Sequence, residues 1–324
     1  MTTRIRWGIL GPGRIATRFA TDLRNFPEAE LVAVGSRSID RSAEFANQFG
    51  AKRTYGTYAE LAADPDVDAV YVATPHPFHR EHTMLCLDHG KAVLCEKPLS
   101  INERQVREMA DYARGKKRFL MEAMWTRFLP VTRQVKQWLD EKAIGDVRML
   151  IGDFGFSTAW NPTGRWLNPD LAGGAILDVG VYTVAYASMV FGKPPSTVQA
   201  NAHIGESRVD EQTAMLLAYP DGALALLSCA VRTETPQQMN IQGTKGSIHV
   251  PGFWHATSAT LTRPGHDPVQ ASGSASYHYE AAEVMSCLEA GRTESPHLPL
   301  EESIAIARTL EQARIAIGLR YPIE

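Results

Sequence analysis

The segment IRWGILGPGRIA, residues 5–16, decides the fold that we predict for the first part of the chain. Its first half, Ile5–Leu10, is apolar enough for a buried strand, and a helical pattern follows from about Arg14 to Asn25. Short apolar runs and helical patterns then alternate as far as Phe119–Ala123. This alternation is typical of a Rossmann-type doubly wound α/β fold with a parallel sheet.

The other elements of this first part follow from the same periodicities. Ser100 and Glu103 match a capping box and predict the start of a helix that ends near Lys116. The run 67–73 is nearly all apolar, as a parallel strand buried on both faces should be. The remaining predicted strands are residues 30–35 and 92–95, and the remaining predicted helices are residues 40–49 and 80–89.

The turn between the first strand and the first helix carries Gly11, Gly13 and Ala16, which satisfy the pattern G-x-G-x-x-[GA]. The glycines allow a tight turn and a close approach of a pyrophosphate to the backbone. The helix start, at Arg14 and Ile15, offers free N–H groups and the positive end of the helix dipole. We therefore predict a dinucleotide site here, the alternative being a Gly-Pro-Gly turn that binds no ligand.

The sequence pattern changes after Trp125. A helix is predicted from about Leu129 to Lys142, another begins near Asp178, and two more close the chain at about 279–290 and 301–318. Longer β-like runs predict a large open, mostly antiparallel sheet, and they are residues 147–156, 197–203, 213–218, 223–230, 239–243 and 247–250. We therefore predict two domains, residues 1–124 for the dinucleotide and residues 125–324 as an α+β domain.

Composition and charge narrow the class of protein. With 44% hydrophobic and 21% charged residues and a net charge of -3, the chain has an ordinary globular composition. The basic cluster Arg114–Arg118 lies at a helix end, so we expect no nucleic-acid partner. We find no apolar stretch of the ~20 residues that a membrane helix needs and no signal-peptide core, and therefore expect a cytoplasmic protein without a membrane partner. The four cysteines lack metal-ligand spacing, which predicts buried thiols and no metal site: Cys86, Cys95, Cys229 and Cys287.

The end of the second strand predicts which dinucleotide binds. Enzymes that use NAD typically carry Asp or Glu there to bond the ribose 2′-hydroxyl. Here the strand runs into Gly35-Ser36-Arg37-Ser38 without a carboxylate. Arg37 can pair with a 2′-phosphate and stack on adenine, Ser36 and Ser38 can donate hydrogen bonds, and Arg41 lies four residues further on. We therefore predict NADP as the cofactor, the alternative for Arg37 being an ordinary exposed loop residue.

Four further segments carry a resemblance to a known family. They are ATPHPFH (73–79), CEKP (95–98), EAMWTRF (122–128) and GGAILDVGVY (173–182). In this order after the glycine loop they resemble the glucose–fructose oxidoreductase/inositol dehydrogenase (Gfo/Idh/MocA) family over essentially the whole chain, and the Glu-Lys-Pro tripeptide is the most specific of these marks. The segment 122–128 resembles the branch that contains dihydrodiol dehydrogenases and NADP-dependent D-xylose dehydrogenases. The resemblance implies hydride transfer involving a polyol, and a homodimer formed through the C-terminal sheet.

Three residues are candidates for the chemistry. Oxidation of a secondary alcohol needs a base for the hydroxyl proton, and Lys97 follows a strand at the edge of the parallel sheet where ligands bind. Asp178 and Tyr182 lie four residues apart and should share one helical face. Many family members have histidine where Tyr182 stands, and the tyrosine favours the dihydrodiol and sugar dehydrogenase branch. Either Lys97 or Tyr182 transfers the proton; the alternatives are a solvated turn lysine, a helix cap and a packed tyrosine.

The loop after the strand 67–73 should border the cofactor, through Thr74, Pro75, His76 and His79. His79 matches a family histidine, and His76 replaces an asparagine common there. For both histidines a positioning role competes with a hydrogen bond at a helix start. The resemblance also implies that Glu96 lies near the nicotinamide ribose, and a cis peptide bond before the following proline is plausible.

Aromatic residues and arginines of the second part are candidates for the substrate wall, because aromatic faces suit a sugar ring and an arene-derived diol. Trp125 lies in a family segment at the domain junction and has the strongest claim. Arg165 could bond a substrate hydroxyl. For Phe154, Trp254 and Tyr279, core packing or an interface is at least as strong an interpretation. The full set of wall candidates is Trp125, Arg127, Phe154, Trp160, Trp166 and Trp254.

These observations predict an NADP-dependent oxidoreductase that acts on a small polyol, namely a pyranose, a pentose or a trans-dihydrodiol. Two alternatives remain open. One is a regulator that binds NADP without catalysis, and the other is a glycosidase that retains its cofactor, since both occur on this fold.

Overall fold

The computed structural model describes residues 4–324 of the chain. These residues divide into two compact units. The first unit contains the chain as far as Trp125 together with Ser276–Ile304, and the second contains Thr126–Ala275 with Ala305–Glu324. The boundary after Trp125 lies one residue from the predicted one, but the position of 276–304 differs from the prediction.

The first unit is built on a parallel sheet with the strand order β3-β2-β1-β4-β5-β6. This is the order of a doubly wound dinucleotide-binding sheet, in which the ligand crevice opens where the order reverses, between the first and fourth strands. The predicted fold class is confirmed. The strands are β1 (Ile5–Leu10), β2 (Ala29–Gly35), β3 (Arg53–Tyr55), β4 (Ala69–Val72), β5 (Ala92–Glu96) and β6 (Leu120–Ala123).

The helices that follow these strands are α1 (Arg14–Leu23), α2 (Ile39–Phe49), α3 (Tyr58–Ala63), α4 (His79–Asp88) and α5 (Glu103–Lys116). The prediction of a Ser100 and Glu103 capping box for α5 is wrong. Asn102 is the N-cap instead, and its side chain accepts a hydrogen bond from the backbone N–H of Gln105 at 2.9 Å. Asn is at least as good a cap as Ser, so the cap lies one residue before Glu103 rather than three.

The second unit contains a sheet with the order β14-β13-β12-β11-β7-β10-β9-β8. Only β7 and β10 run parallel among its neighbouring pairs of described residues, so the sheet is mostly antiparallel, as predicted. Its strands are β7 (Val147–Gly155), β8 (Thr197–Ile204), β9 (Asp210–Ala218), β10 (Leu224–Ala230), β11 (Gln238–Gly243), β12 (Ser247–Pro251), β13 (Ser258–Thr262) and β14 (Val269–Ser272). Helix α6 (Pro130–Asp140) precedes the sheet and α7 (Val181–Phe191) follows β7.

Helix α7 packs on β7 and β10 and covers one face of this sheet. A π-helical turn, Ile176–Gly180, leads into it. By length and composition, Pro169–Phe191 is apolar enough to cross a membrane, contrary to the expectation from the sequence. However, 89% of its most apolar window is buried inside the protein. A helix that is apolar on all sides is explained by such burial, so we describe it as a core helix.

The segment Ser276–Ile304 packs with the first unit, whereas the sequence-based division assigned it to the second. It contains α8 (His278–Glu289) and the start of α9 (Leu300–Ala316). Asp22 on α1 explains the packing, because its carboxylate accepts hydrogen bonds from Ser276 Oγ and from the backbone N–H of Tyr277, both at 2.7 Å. Periodicity along the chain carries no information on contacts between residues more than 250 positions apart, so this return was not predictable.

Candidate active site

The glycine loop closes on the end of β4. Gly11 has a φ of +92, a conformation that residues with a side chain rarely adopt. Its N–H donates to the carbonyl of Gly35 at 3.0 Å. A Cβ at this position would lie 2.9 Å from Cγ2 of Thr74, so no other residue fits. The first glycine of the motif is therefore required by the tight turn, as the sequence predicts.

The start of α1 has the features of an anion site. No side chain caps it, and its first turn, beginning at Arg14, carries no acidic residue. By contrast, Ser38, Thr57 and Asn102 cap α2, α3 and α5 with their side chains. A Cβ added at Gly13 would meet nothing nearer than the Gly11 carbonyl at 4.0 Å, so there is open space beside the uncapped N–H groups. These residues fit a dinucleotide pyrophosphate.

The turn after β2 presents one exposed cation. Arg37 is exposed and makes no ion pair with another residue in the described range 4–324. Ser36 is buried, and its Oγ accepts the backbone N–H of Ser38 at 3.3 Å. Ser38 Oγ in turn caps α2 by accepting the N–H of Arg41 at 3.4 Å. Both serine oxygens thus accept a backbone N–H, which leaves each O–H able to donate to a phosphate, while Arg37 keeps its guanidinium in solvent.

Both histidines of the loop after β4 are buried, and a positioning role toward the cofactor stays a prediction for each of them. His79 is fully buried, and its ring nitrogens lie 2.8 Å from the Pro98 carbonyl and 2.7 Å from the Thr74 carbonyl. Burial lowers the pKa of His79 to about 4, so the ring is neutral at pH 7 and donates only one of the two hydrogen bonds. His76 is also buried and packs against it, with ring centroids 5.7 Å apart. His79 therefore ties the loop after β4 to the chain after β5.

Lys97 directly follows β5 and is half-buried. Its peptide bond to Pro98 is cis, as the sequence suggested. Its backbone N–H donates to Glu96 Oε2 at 3.2 Å, and the Pro98 carbonyl on its other side is held by His79. The backbone of Lys97 is therefore fixed on both sides at the carboxyl edge of the parallel sheet, where ligands bind in this fold.

A group of acids and phenols lies behind Lys97, and most of it was not predicted. Tyr71 on β4 donates a short hydrogen bond to Glu96. Glu280 on α8 is fully buried, and neither of its carboxyl oxygens has a hydrogen-bond partner within residues 4–324. Burial, with Glu96 and Asp22 adding to it, raises the pKa of Glu280 well above its usual value, which favours the protonated, neutral form of this carboxyl. A tyrosine inside an apolar strand, which needs a partner for its hydroxyl, was the one sequence signal for this group.

In the second unit, Asp178 lies within the π turn and Tyr182 in the first turn of α7. A π turn forms i→i+5 hydrogen bonds, so the regular α-helical spacing does not extend over Asp178; such turns occur frequently at functional sites. That the two side chains share one face stays a prediction. Asp178 is buried and forms an ion pair with Arg165, whose side chain is half-exposed. The arginine that we assigned to a substrate hydroxyl thus neutralises the buried carboxylate.

Tyr182 adjoins an aromatic pair. Phe154 on β7 stacks on Trp254 with ring centroids 5.2 Å apart and an interplanar angle of 16°, and its ring lies 5.4 Å from that of Tyr182. The guanidinium of Arg127 donates to the carbonyl of Ala185 on α7 at 3.1 Å, so this side chain lies against α7. The second unit therefore joins a phenol to an apolar wall.

The other wall candidates take different positions. Trp125 is only 4% exposed and stacks on Tyr277 at 4.2 Å within the first unit, which favours packing over contact with a substrate. Trp166 packs against Phe156, and Trp160 is exposed with Arg232 above its ring at 5.9 Å. No group of three or more His, Cys, Asp or Glu side chains among residues 4–324 is placed to hold a metal ion.

A doubly wound sheet with an uncapped anion site, joined to an α+β unit with a phenol on its core helix, defines a dinucleotide-dependent oxidoreductase. The chain belongs to the GFO/IDH/MocA family. Residues 5–124 match the family described as an oxidoreductase family with an NAD-binding Rossmann fold, and residues 132–249 match the GFO/IDH/MocA C-terminal domain.

Relatives resemble the chain over nearly its whole length. The trans-1,2-dihydrobenzene-1,2-diol dehydrogenase of Mus musculus is 40% identical, with 98% of each chain covered, and that of Homo sapiens is 37% identical, also with 98% of each chain covered. Among solved structures, a 3-ketoreductase from Actinomadura kijaniata in complex with NADP and TDP-benzene is similar, with a TM-score of 0.86 and 28% identity over 97% of this chain and 98% of that one. An aldose-aldose oxidoreductase from Caulobacter crescentus shares the fold, with a TM-score of 0.89 and 24% identity over 97% of this chain and 98% of that one.

Proposed function

We propose that the protein is an NADP-dependent dehydrogenase that oxidises a secondary alcohol of a small polyol, either a trans-dihydrodiol or a sugar such as D-xylose. The observation that carries the proposal is the position of Tyr182 beside the stacked Phe154 and Trp254. A phenol that exchanges a proton stands next to an apolar wall that suits the flat face of such a substrate. The name of the 40% identical relative from Mus musculus supports the same substrate class.

Each residue has a distinct task in this proposal. The bound NADP supplies the hydride acceptor. As the carbon–hydrogen bond breaks, the proton of the alcohol passes to the Tyr182 phenolate or to the neutral amine of Lys97. If the Tyr182 phenolate takes the proton, Lys97 as an ammonium stabilises the negative charge on the substrate oxygen. Arg165 forms an ion pair with Asp178, and this carboxylate offers a hydrogen-bond acceptor to the substrate or to Tyr182.

The preference for NADP rests on Arg37. A 2′-phosphate carries negative charge, and Arg37 is an exposed cation at the end of β2 where NAD enzymes typically carry a carboxylate. Arg37 would hold the 2′-phosphate of NADP, since a guanidinium can pair with phosphate and can stack on an adenine ring. Ser36 adds its hydroxyl.

A homodimer is part of the proposal. On the sheet face opposite α7, Leu226 of β10 lies in register with Ile151 of β7 and Leu216 of β9. These side chains are 41%, 40% and 37% exposed, which forms an apolar row on a surface that also holds a shallow groove of about 680 Å³. A second copy of this chain would cover the row through an isologous contact. The cytoplasm stays the predicted location, and the four buried, unlinked cysteines support a reducing compartment.

A panel of polyols with NADP, followed at the absorbance of reduced nicotinamide, tests the function. We expect turnover with a trans-dihydrodiol or D-xylose, and none with Lys97→Met, which should still bind NADP. Tyr182→Phe should lower kcat at least about 100-fold, the lower range for general acid–base catalysis. Tyr186→Phe is the matched control one turn further on, because the Tyr186 hydroxyl is buried without a hydrogen-bond partner within residues 4–324.

Three results would overturn the proposal. Binding of NADP without turnover on any polyol would identify a regulator. Net hydrolysis of an aryl glycoside without accumulation of NADPH would identify a glycosidase. Near-normal turnover in Lys97→Met or Tyr182→Phe would remove that residue from the mechanism.

A further inference from the structure

The indole of Trp254 is held in the aromatic pair by more than packing. Trp254 lies in a single 3-10 turn, Phe253–His255, and is only half-buried. A half-buried side chain on so short a turn has rotamers open to it, so its parallel stacking on Phe154 needs a cause. That cause lies in a neighbouring loop, at Gln237.

Gln237 makes four hydrogen bonds, two from the side chain and two from the backbone. Its Oε1 accepts the indole N–H of Trp254 at 2.8 Å, and its Nε2 donates to the carbonyl of Gly155 at 2.7 Å. Its backbone N–H donates to Asp153 Oδ2 at 2.6 Å, and its carbonyl accepts the N–H of Phe253 at 3.2 Å. The residue thus links the end of β7, which carries Phe154, to the turn that carries Trp254.

The backbone of Gln237 is in a conformation that its residue type disfavours. Its φ is +58, in the left-handed region where a side chain clashes with the following carbonyl. Glycine would relieve this strain, and Asn would tolerate it better, but glycine has no amide and Asn is one methylene shorter. Strained non-glycine residues persist where the surroundings hold them, and they cluster at functional sites. The need for a long amide side chain therefore explains why glutamine, and not glycine or asparagine, occupies position 237.

The chain around Gln237 is also pressed closely onto β7. A Cβ at Gly155 would lie 2.6 Å from the Thr233 carbonyl, and a Cβ at Gly152 would overlap Met239. Because these two positions on β7 are glycines and have no Cβ, the segment 233–239 can pack closely on the strand. Since the backbone is fixed on both sides of Gln237, its side-chain amide can hold the indole of Trp254 in one orientation.

We propose that Gln237 is a positioning residue that holds the Trp254 indole parallel to Phe154, and that it thereby favours substrates with a flat apolar face over hydrophilic ones. The preference among substrates rests on the proposed function. The position of the indole does not depend on it. Without the two amide bonds, Trp254 would rotate, and the wall beside Tyr182 would lose its flat surface. Substrates bound mainly through hydroxyl groups depend less on that surface.

Two variants distinguish the two hydrogen bonds that the side-chain amide of Gln237 makes. Gln237→Leu keeps the size and removes both bonds, whereas Gln237→Glu keeps an acceptor for the indole and loses the donor to Gly155. Gln238→Leu is the matched control. Among residues 4–324 the neighbouring amide bonds only the exposed His249, at 3.0 Å from Gln238 Oε1 to the ring Nε2. Each variant is measured as the purified full-length protein, in whatever oligomeric state it has, with and without NADP.

The first measurement does not depend on activity. In protein labelled with ¹⁵N-tryptophan, Trp254→Phe identifies the indole resonance of Trp254. We expect this resonance to shift or broaden in Gln237→Leu and to stay in place in Gln238→Leu. An unchanged resonance in Gln237→Leu overturns the proposal, whether or not the enzyme turns over any polyol. If Gln237→Leu does not fold, Gln237→Glu decides the point, because loss of its bond to Gly155 should also move the resonance.

The second measurement concerns specificity. For a trans-dihydrodiol, KM should rise about 10-fold in Gln237→Leu, the effect of one lost hydrogen bond, with kcat within about 3-fold. For D-xylose, KM should change less than about 3-fold. Equal changes of KM for both substrates would contradict the role in specificity even if the indole resonance moves.

Discussion

Asp210 accepts a hydrogen bond from the backbone N–H of Ile176 at 2.8 Å, and Ile176 is the first residue of the π turn that contains Asp178. The same carboxyl oxygen accepts the hydroxyl of Thr213 at 2.8 Å. The other oxygen occupies the place that a Cβ at residue 174 would need, so only glycine fits there, with a φ of +113. One fully buried carboxyl on β9 thus fixes the start of the helix that presents Tyr182.

Removal of this carboxyl should loosen the helix start. In Asp210→Ala the buried N–H of Ile176 loses its partner, and we expect about 1–3 kcal/mol lower free energy of unfolding and a lower kcat. The dissociation constant for NADP should not change, since the nucleotide residues belong to the first unit. The control is Thr213→Val, which keeps the bond to Ile176. Urea unfolding and steady-state kinetics measure both, and equal effects of the two variants would show that the Ile176 bond does not matter.

The neutral carboxyl of Glu280 should make stability depend on pH. Its folded pKa is raised, so the stability that it contributes is fully present below its unfolded pKa of about 4.3 and is lost as the pH rises through the folded value. Glu280→Gln cannot titrate. From pH 4 to 8, its free energy of unfolding should therefore rise relative to that of the original protein, by up to about 1.4 kcal/mol per pH unit.

Thermal unfolding across this pH range tests the expectation for Glu280. The charged groups that raise the pKa of Glu280 include Glu96 and Asp22, and they are present in both proteins. Glu289→Gln, at the exposed end of the same helix, serves as the control. Parallel curves for Glu280→Gln and the original protein would mean that Glu280 titrates normally.

Arg37→Ala should raise KM for NADP by about 10- to 100-fold, since a hydrogen bond to a charged group contributes about 1.5–3 kcal/mol. KM for NAD, which lacks the 2′-phosphate, should stay within about 3-fold of its original value. Arg41→Ala should have a smaller effect on NADP. Steady-state kinetics with the two cofactors decide the matter, and a similar rise of KM for both would place Arg37 away from the phosphate.

Leu226→Glu should abolish the proposed homodimer, because it introduces a charge into the middle of the apolar row on the open sheet face. Light scattering after size-exclusion chromatography should give the mass of one chain for this variant and of two for the original protein. Ile315→Glu is the matched control, since Ile315 is 64% exposed on α9 and away from the row. A monomeric original protein, or dimeric Leu226→Glu, would contradict the assembly.

The sequence predicts most where local chemistry dictates the structure. The bounds of β1 are as predicted, because a short apolar run that ends in a glycine turn admits few alternatives. Gly11 was identified for its conformation, and its φ of +92 agrees. The shortest elements were missed, among them β3 and α3, because a three-residue strand leaves no periodicity to read. The cap at Asn102 was misplaced by two residues, since Ser100 fits the same pattern.

The sequence predicts least where a residue acts through a distant partner. Tyr71 bonds a glutamate 25 positions away, and the amide of Gln237 reaches across 82 positions to Gly155. Glu280 is unusual only because of what surrounds it. A single sequence carries no signal for such pairs, so the first candidates for catalysis were found by family resemblance and these supporting residues were not.

The return of Ser276–Ile304 to the first unit has a consequence for how the protein is made. The ribosome completes every strand of the second sheet before it adds α8. Until then, the nucleotide-binding unit lacks the helix that provides Tyr277 and Glu280, although its sheet was synthesised first. N-terminal domains usually fold first during synthesis, but here the cofactor unit finishes only when residue 304 emerges. A nascent chain stalled before α8 should therefore be unable to retain NADP, however complete its glycine loop.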